Sequence, residues 1–179
     1  MAAAAAVAEV PNRLESHFLT KEYNDAGIYA INMYVLGAPI TIQVDDWLPH
    51  WGSTYQTLFA KVQRSGDKST WMVILEKAFA KMNGNYAQLI GGFAERGVNS
   101  LTGFPSYTFA LKNETDASII QKLQDHDNDS DIITASSNYS AYGDSATVDN
   151  GIVNSHAYTV LGVDQVDFIA ADSTGAMST

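Results

Sequence analysis

Ala2 to Glu9 is rich in alanine, the strongest helix former, and predicts a first helix. Pro11 lacks a backbone N–H, so it ends that helix or starts another, and Asn12 to Phe18 is expected to be the next short one. A polar connection over Lys21 to Asp25 leads to Gly27, which opens a strand reading through Tyr34. Leu36-Gly37-Ala38-Pro39 predicts a turn, and Ile40 to Val44 the returning strand. In that return Ile40, Ile42 and Val44 alternate with Thr41 and Gln43, the pattern of a strand with one buried face. Asp45 and Asp46 close it. Adjacent strand side chains point opposite ways, so this pair reads as one turn cap and one solvated carboxylate rather than an acid–base couple.

Trp71 to Met82 carries the clearest helical period. Trp71, Ile74, Leu75, Ala78, Phe79 and Met82 fall on one stripe, with Glu76, Lys77 and Lys81 off it. Ser69 or Thr70 is placed to cap its start, and Gly84 suits its C-terminal turn. Gly91-Gly92 and Thr102-Gly103-Phe104-Pro105 punctuate the middle, with a lobe boundary expected near Thr102. Asp116 to Gln124 predicts a short helix with Ile119, Ile120 and Leu123 inward, and Asp131 to Ser137 a strand. Asn138 to Asn150, rich in Ser, Asp, Asn and Gly, reads as a surface loop. Ile152 to Val163 predicts a strand, with Val166 to Ala170 returning from it and a frayed tail from Asp172.

Composition narrows the function classes. The formal net charge of -10, from 20 acidic and 10 basic residues, argues against nucleic acid and anionic membranes, which need clustered Lys and Arg. No apolar run reaches the roughly 18 residues a spanning helix needs. The start has no basic region ahead of an apolar one, so the expectation is an intracellular, cytoplasmic protein. There is no cysteine, which removes disulfides, thiolate metal sites and a thiol nucleophile together.

The remaining chemistry rests on His17, His50, His126 and His156, with no HExxH or paired-histidine spacing for zinc. Asp125, Asp127, Asp129 and Asp131 alternate like the front of a calcium loop, which needs Gly at position six and Glu at position twelve. Counting from Asp127 gives Ile132 and Asn138, and from Asp125 gives Ser130 and Ser136, so both registers fail and a solvated acidic turn is expected. No nucleophile elbow, phosphate-binding loop or dinucleotide fingerprint occurs. His156 stands at the head of an apolar strand after a polar loop, where a strand can hold an imidazole at a cleft edge. On its own that placement reads as a satisfied structural histidine.

Taken in order, several segments resemble the catalytic domain of calpain-family cysteine proteases. Ala6-Val7-Ala8-Glu9-Val10-Pro11 resembles the end of the family's Ala/Leu-rich stretch after the cysteine helix. Gly27-Ile28-Tyr29 with Val44-Asp45-Asp46-Trp47-Leu48-Pro49 resembles its hairpin, and Trp71 with Leu75-Glu76-Lys77-Ala78-Phe79-Ala80-Lys81 its following helix. Asn83-Gly84-Asn85-Tyr86 and Gly91-Gly92 also fit. Leu101-Thr102-Gly103 resembles the linker between lobes, with Phe104 in place of a second glycine. Gly151 to Gly162 resembles the family's histidine strand, with Ser155 in place of the usual glycine.

The resemblance implies an α+β fold: a papain-like two-lobe core, incomplete at both ends. Residues 1–101 would be the remainder of the cysteine-side lobe and 102–179 part of the histidine- and asparagine-side lobe. It implies intracellular endoproteolysis of protein or peptide substrates through a Cys/His/Asn triad, with His156 at the catalytic histidine position. In that alignment the family's cysteine falls just before Met1, and its asparagine, which orients the imidazole, has no counterpart up to Thr179. The family is gated by calcium, but the acidic ligand two residues before the helix tryptophan is replaced here by Ser69, so no calcium or other cofactor is expected in this chain. Three readings follow. The chain is a piece of a complete protease; or it is a pseudoprotease serving as a structural or binding subunit, its open edges covered by a protein neighbour; or it is an independent binding domain with coincidental motifs. The first two predict no peptidase activity for this chain alone.

Overall fold

Strand alternation and helical period both survive in the computed structural model, which describes residues 1–52, 56–61, 69–143 and 151–164. Strands β1 (Ile28–Val35) and β2 (Ala38–Asp45) form an antiparallel hairpin in which Ile28 faces Asp45 and Val35 faces Ala38. The loop is only Leu36-Gly37, both with positive φ (51° and 80°), as a two-residue turn matched to strand twist requires. Ala38 and Pro39, expected in the turn, are therefore already paired in β2. Pro39 is tolerated there because β2 is an edge strand. On the other side of β1, Phe18 bridges Ile31 and the Leu19 N–H donates to the Ala30 carbonyl at 2.9 Å. That pairing explains why the helix expected over Asn12 to Phe18 shrinks to a single 3₁₀ turn, Glu15–His17: Asn12 has φ 64°, and the chain peels off to meet the sheet.

Helix α1 (Ala2–Ala8) is buried at Ala3, Ala4, Ala6 and Val7 and partly covered at Ala2, Ala5 and Ala8, and it packs against α3 and the β3 and β4 segments. Helix α2 (Trp71–Asn83) packs on the hairpin. Its buried positions are Val73, Ile74, Leu75, Ala78 and Ala80, while Trp71, Phe79 and Met82 of the expected stripe are only partly covered. Thr70 stands at its N-cap without a side-chain cap bond, and Gly84 (φ 103°) donates its N–H to Lys81 at its end. Helix α3 (Ala94–Thr102) was not expected; its central Gly97 and polar Glu95-Arg96 hide it from pattern and propensity. It packs against α1 and β1 and ends on Gly103, in the left-handed region at φ 74°. Ile31, Met33, Leu75, Leu101 and Val7, from four elements, are the largest fully buried side chains.

Helix α4 (Asp116–Asn128) runs beyond the expected Gln124 and starts on Thr115, whose Oγ1 accepts from the Ser118 N–H at 3.2 Å. Ile120 is 47% exposed rather than inward, because none of this helix is fully buried. Strands β3 (Thr134–Ser136) and β4 (Ala157–Thr159) form a short antiparallel ribbon, much briefer than the strands expected over Asp131 to Ser137 and Ile152 to Val163. Both contact α1, and the Thr159 hydroxyl donates to the Ala2 carbonyl at 2.9 Å. The expected loop over Asn138 to Asn150 is described only to Gly143; its remainder, the strand over Val166 to Ala170 and the tail from Asp172 lie outside the described residues. Mixed helices and small antiparallel sheets make this an α+β fold.

The aspartate pair divides as its alternation requires. Asp45 Oδ1 accepts the Trp47 N–H at 2.9 Å, capping the turn, and also accepts from Lys77 of α2. The Lys77 hydrogen bond, then that of Trp47, holds the Asp45 carboxyl below its ordinary 3.8. A carboxyl depressed on folding contributes stability that is present above its unfolded value and is lost as pH falls through the folded one. Lys77→Met should therefore lower the urea midpoint at neutral pH and flatten its decline below about pH 4; parallel acid limbs in both proteins would show that the pair contributes nothing.

Candidate active site

His156 sits one residue before β4, where Ser137 and Ser155 fix its backbone. Its N–H donates to Ser137 Oγ at 3.0 Å, and its carbonyl accepts the Ser137 N–H at 2.9 Å. The preceding Ser155 has φ 50°, a left-handed conformation that costs a non-glycine residue about 1 kcal/mol or more. The usual family glycine at this position adopts such a conformation freely. Ser155 in turn anchors the neighbouring loop: its N–H donates to the Asn138 carbonyl at 2.8 Å and its Oγ accepts the Ser140 N–H at 2.8 Å. The hydroxyl of Tyr158 accepts the Val153 N–H at 2.9 Å.

The His156 residue is exposed, and its ring stands edge-on to the Tyr158 ring with centroids 5.1 Å apart and planes at 68°. Among the described residues no side chain hydrogen-bonds its imidazole. The ring thus stands against one described neighbour on an exposed residue, a placement within reach of a substrate. The Thr159–Ala2 bond brings β4 to the first turn of α1, so the histidine strand and the N-terminal end of α1 are neighbours.

The other histidines do different work. His17 Nδ1 donates to the Asn32 carbonyl at 2.9 Å, which fixes its tautomer, and its ring meets Tyr34 edge-on at 6.5 Å. His50 pairs through its backbone with Thr57. His126 Nδ1 lies 2.8 Å from Asp131 Oδ2. In the acidic stretch the carboxylates serve separate partners: Asp125 accepts from Gln121, and Asp127 accepts the Val163 N–H at 3.0 Å. Among the described residues no three histidines or carboxylates converge as metal ligands. Ser69, where the family presents an acidic ligand, offers a hydroxyl beside a groove of about 540 Å³ lined by Phe18, Tyr29, Trp71 and Ile74. That groove borders Ala8 and Val10, at the opposite end of α1 from Ala2 and β4.

Two contributors to the His156 site had gone unassigned in the sequence. Tyr158 had a readable signal, since a residue two positions along a strand shares a side with the first. Ser137 had none, because it is brought in by pairing across 19 residues.

Comparison with known proteins completes the picture. The sequence pattern of calpain family cysteine proteases matches residues 1–176. The chain is 30% identical over 170 residues to the calpain-type cysteine protease DEK1 of Zea mays, covering 92% of this chain and 8% of that protein. It is 33% identical over 151 residues to calpain-8 of Rattus norvegicus, covering 83% of this chain and 20% of that protein. The chain thus spans a small part of the length of these relatives. No helix among the described residues is long and apolar enough to cross a membrane. With the family pattern matched over residues 1–176 and relatives at about 30% identity covering most of its length, the chain belongs to the calpain family of cysteine proteases.

Proposed function

We propose that His156 is the proton-transfer residue of a calpain-type endopeptidase site acting on protein or peptide substrates in the cytoplasm. The observation that carries this reading is the Thr159–Ala2 bond, which sets the histidine strand against the end of α1 from which the family's cysteine helix would lead. In that chemistry the imidazole takes the thiol proton, the thiolate attacks the scissile carbonyl carbon, and the C–N bond breaks as the imidazolium returns the proton to the leaving amine. This chain holds no cysteine, so residues 1–179 alone are inert as a peptidase. We assign residues 1–101 to the cysteine-side lobe and 102–179 to the histidine-side lobe, the chain turning between them at Gly103.

A second reading, a non-catalytic scaffold of calpain fold, is favoured by the same missing thiol and by large exposed side chains. Trp47 is 85% and Phe104 75% exposed, surface that a protein neighbour would cover.

A set of short N-terminal extensions, each carrying a single cysteine, separates the two. Near pH 6 a free thiol of pKa ~8.5 is almost wholly protonated and alkylates slowly. Where His156 meets the thiol, iodoacetamide should react about tenfold faster, and His156→Ala should abolish that gain. If no extension gives a His156-dependent rate, the catalytic assignment fails and the scaffold reading stands.

A further inference from the structure

We propose that Tyr158 is a positioning residue for the His156 imidazole, selecting the ring orientation in which its nitrogens meet the thiol and the substrate. This rests on the proposed role of His156.

The two residues are two apart, His156 just before β4 and Tyr158 within it. Their rings meet edge-on, an arrangement favoured by the quadrupoles of aromatic pairs. Tyr158 is itself fixed at both ends. Its backbone is paired with Ala135 in the β3–β4 ribbon. Its hydroxyl is tied to one residue twice, accepting the Val153 N–H at 2.9 Å and donating to the Val153 carbonyl at 3.3 Å. A tyrosine anchored at its backbone and at its hydroxyl presents a rigid wall.

The His156 backbone does not need that wall. Ser137 holds it through two bonds, and Ser155 sets its approach. What the backbone leaves open is rotation of the ring about its side-chain bonds. Among the described residues the ring contact that restricts this rotation is Tyr158. The hydroxyl of Tyr158 therefore acts at a distance: by pinning the far end of the phenol, it fixes the surface on which the imidazole rests.

NMR of the 179-residue chain with labelled histidine tests this directly, since the chain has four histidines to resolve. The native protein should show one His156 side-chain rotamer, with ring protons shifted by the Tyr158 ring current. Tyr158→Leu should abolish the ring-current shift and average the rotamers, while the backbone amide signals of Ser137 and His156 stay in place. Tyr158→Phe keeps the ring, loses both bonds to Val153, and should lose the single rotamer with the fold intact. An unchanged His156 rotamer in either folded variant overturns the proposal.

The extended, cysteine-bearing proteins add a chemical readout. Tyr158→Leu should slow the His156-dependent alkylation about tenfold, as misplacement of a reacting group does, and shift no other part of its pH profile. The two failures are distinguishable. A ring locked by Tyr158 with no His156-dependent thiol sinks the catalytic role of His156. A His156-dependent thiol with a ring indifferent to Tyr158 sinks only the positioning role.

Discussion

Replacing Gly97 with alanine lowers the thermal midpoint, although the same change in an ordinary helix raises it. Alanine exceeds glycine in helix propensity by about 1 kcal/mol, so α3 considered alone gains. The gain is reversed by α1. A Cβ at position 97 would stand 2.7 Å from Ala3 Cβ, well inside the ~3.5–4.0 Å at which carbon atoms pack. Ala3 Cβ has no rotamer with which to retreat, so the helices must part. Parting them disturbs Ala4, Val7 and Leu101, all members of the same buried cluster. Overpacking of this kind costs about 1–3 kcal/mol, or several degrees in a chain of this size. The check is Ala3→Gly in the Gly97→Ala background: it should restore part of the loss, whereas Ala3→Gly alone destabilises. A midpoint raised by Gly97→Ala would mean that α1 and α3 do not approach this closely in solution.

Leu75→Ala should cost about 3 kcal/mol, the middle of the range for emptying a well-packed leucine site. Leu75 is wholly buried on α2 and belongs to one cluster with Ile31 and Met33 of β1 and Val44 of β2. The hole cannot fill easily, because β1 and β2 are locked by their register and α2 is held at its rim by Lys77 bonded to Asp45 and to the Trp47 carbonyl. The urea midpoint should fall with an unchanged slope, the sign of a stability loss without a change in the surface exposed. The partly exposed Phe79 of the same helix is the comparison: the larger residue, truncated to alanine, should cost less. Equal losses at the two positions would place the core elsewhere.

These two residues show how unevenly the fold was legible. Leu75 announced itself, since a stripe at helical spacing over Trp71 to Met82 has one physical explanation. The hairpin was equally plain from the alternation of Ile40, Ile42 and Val44 after the turn residues Leu36 to Pro39, although Ala38 and Pro39 prove to belong to β2. Gly97 gave the opposite impression. It reads as a helix breaker and concealed α3, yet it is there because α1 passes too near for any side chain. The short strands β3 and β4 were overestimated, because apolar runs such as Ala157 to Val163 look the same whether or not a partner is present to pair with all of them.

The sequence by itself determined the α+β class, the family and the lack of cysteine in residues 1–179, and it singled out His156 as the residue to propose. Those conclusions depend on residue type and order, which are complete without a third dimension. Only the tertiary structure decided that α1 is largely buried, that Thr159 sets the histidine strand against its first turn, that Ser137 holds the His156 backbone, and that the Tyr158 ring stands beside its imidazole. Each of these is a contact between segments far apart in the chain or a side-chain orientation within a turn. Local propensity and periodicity act over a few residues, whereas such contacts are chosen by the packing of the whole chain.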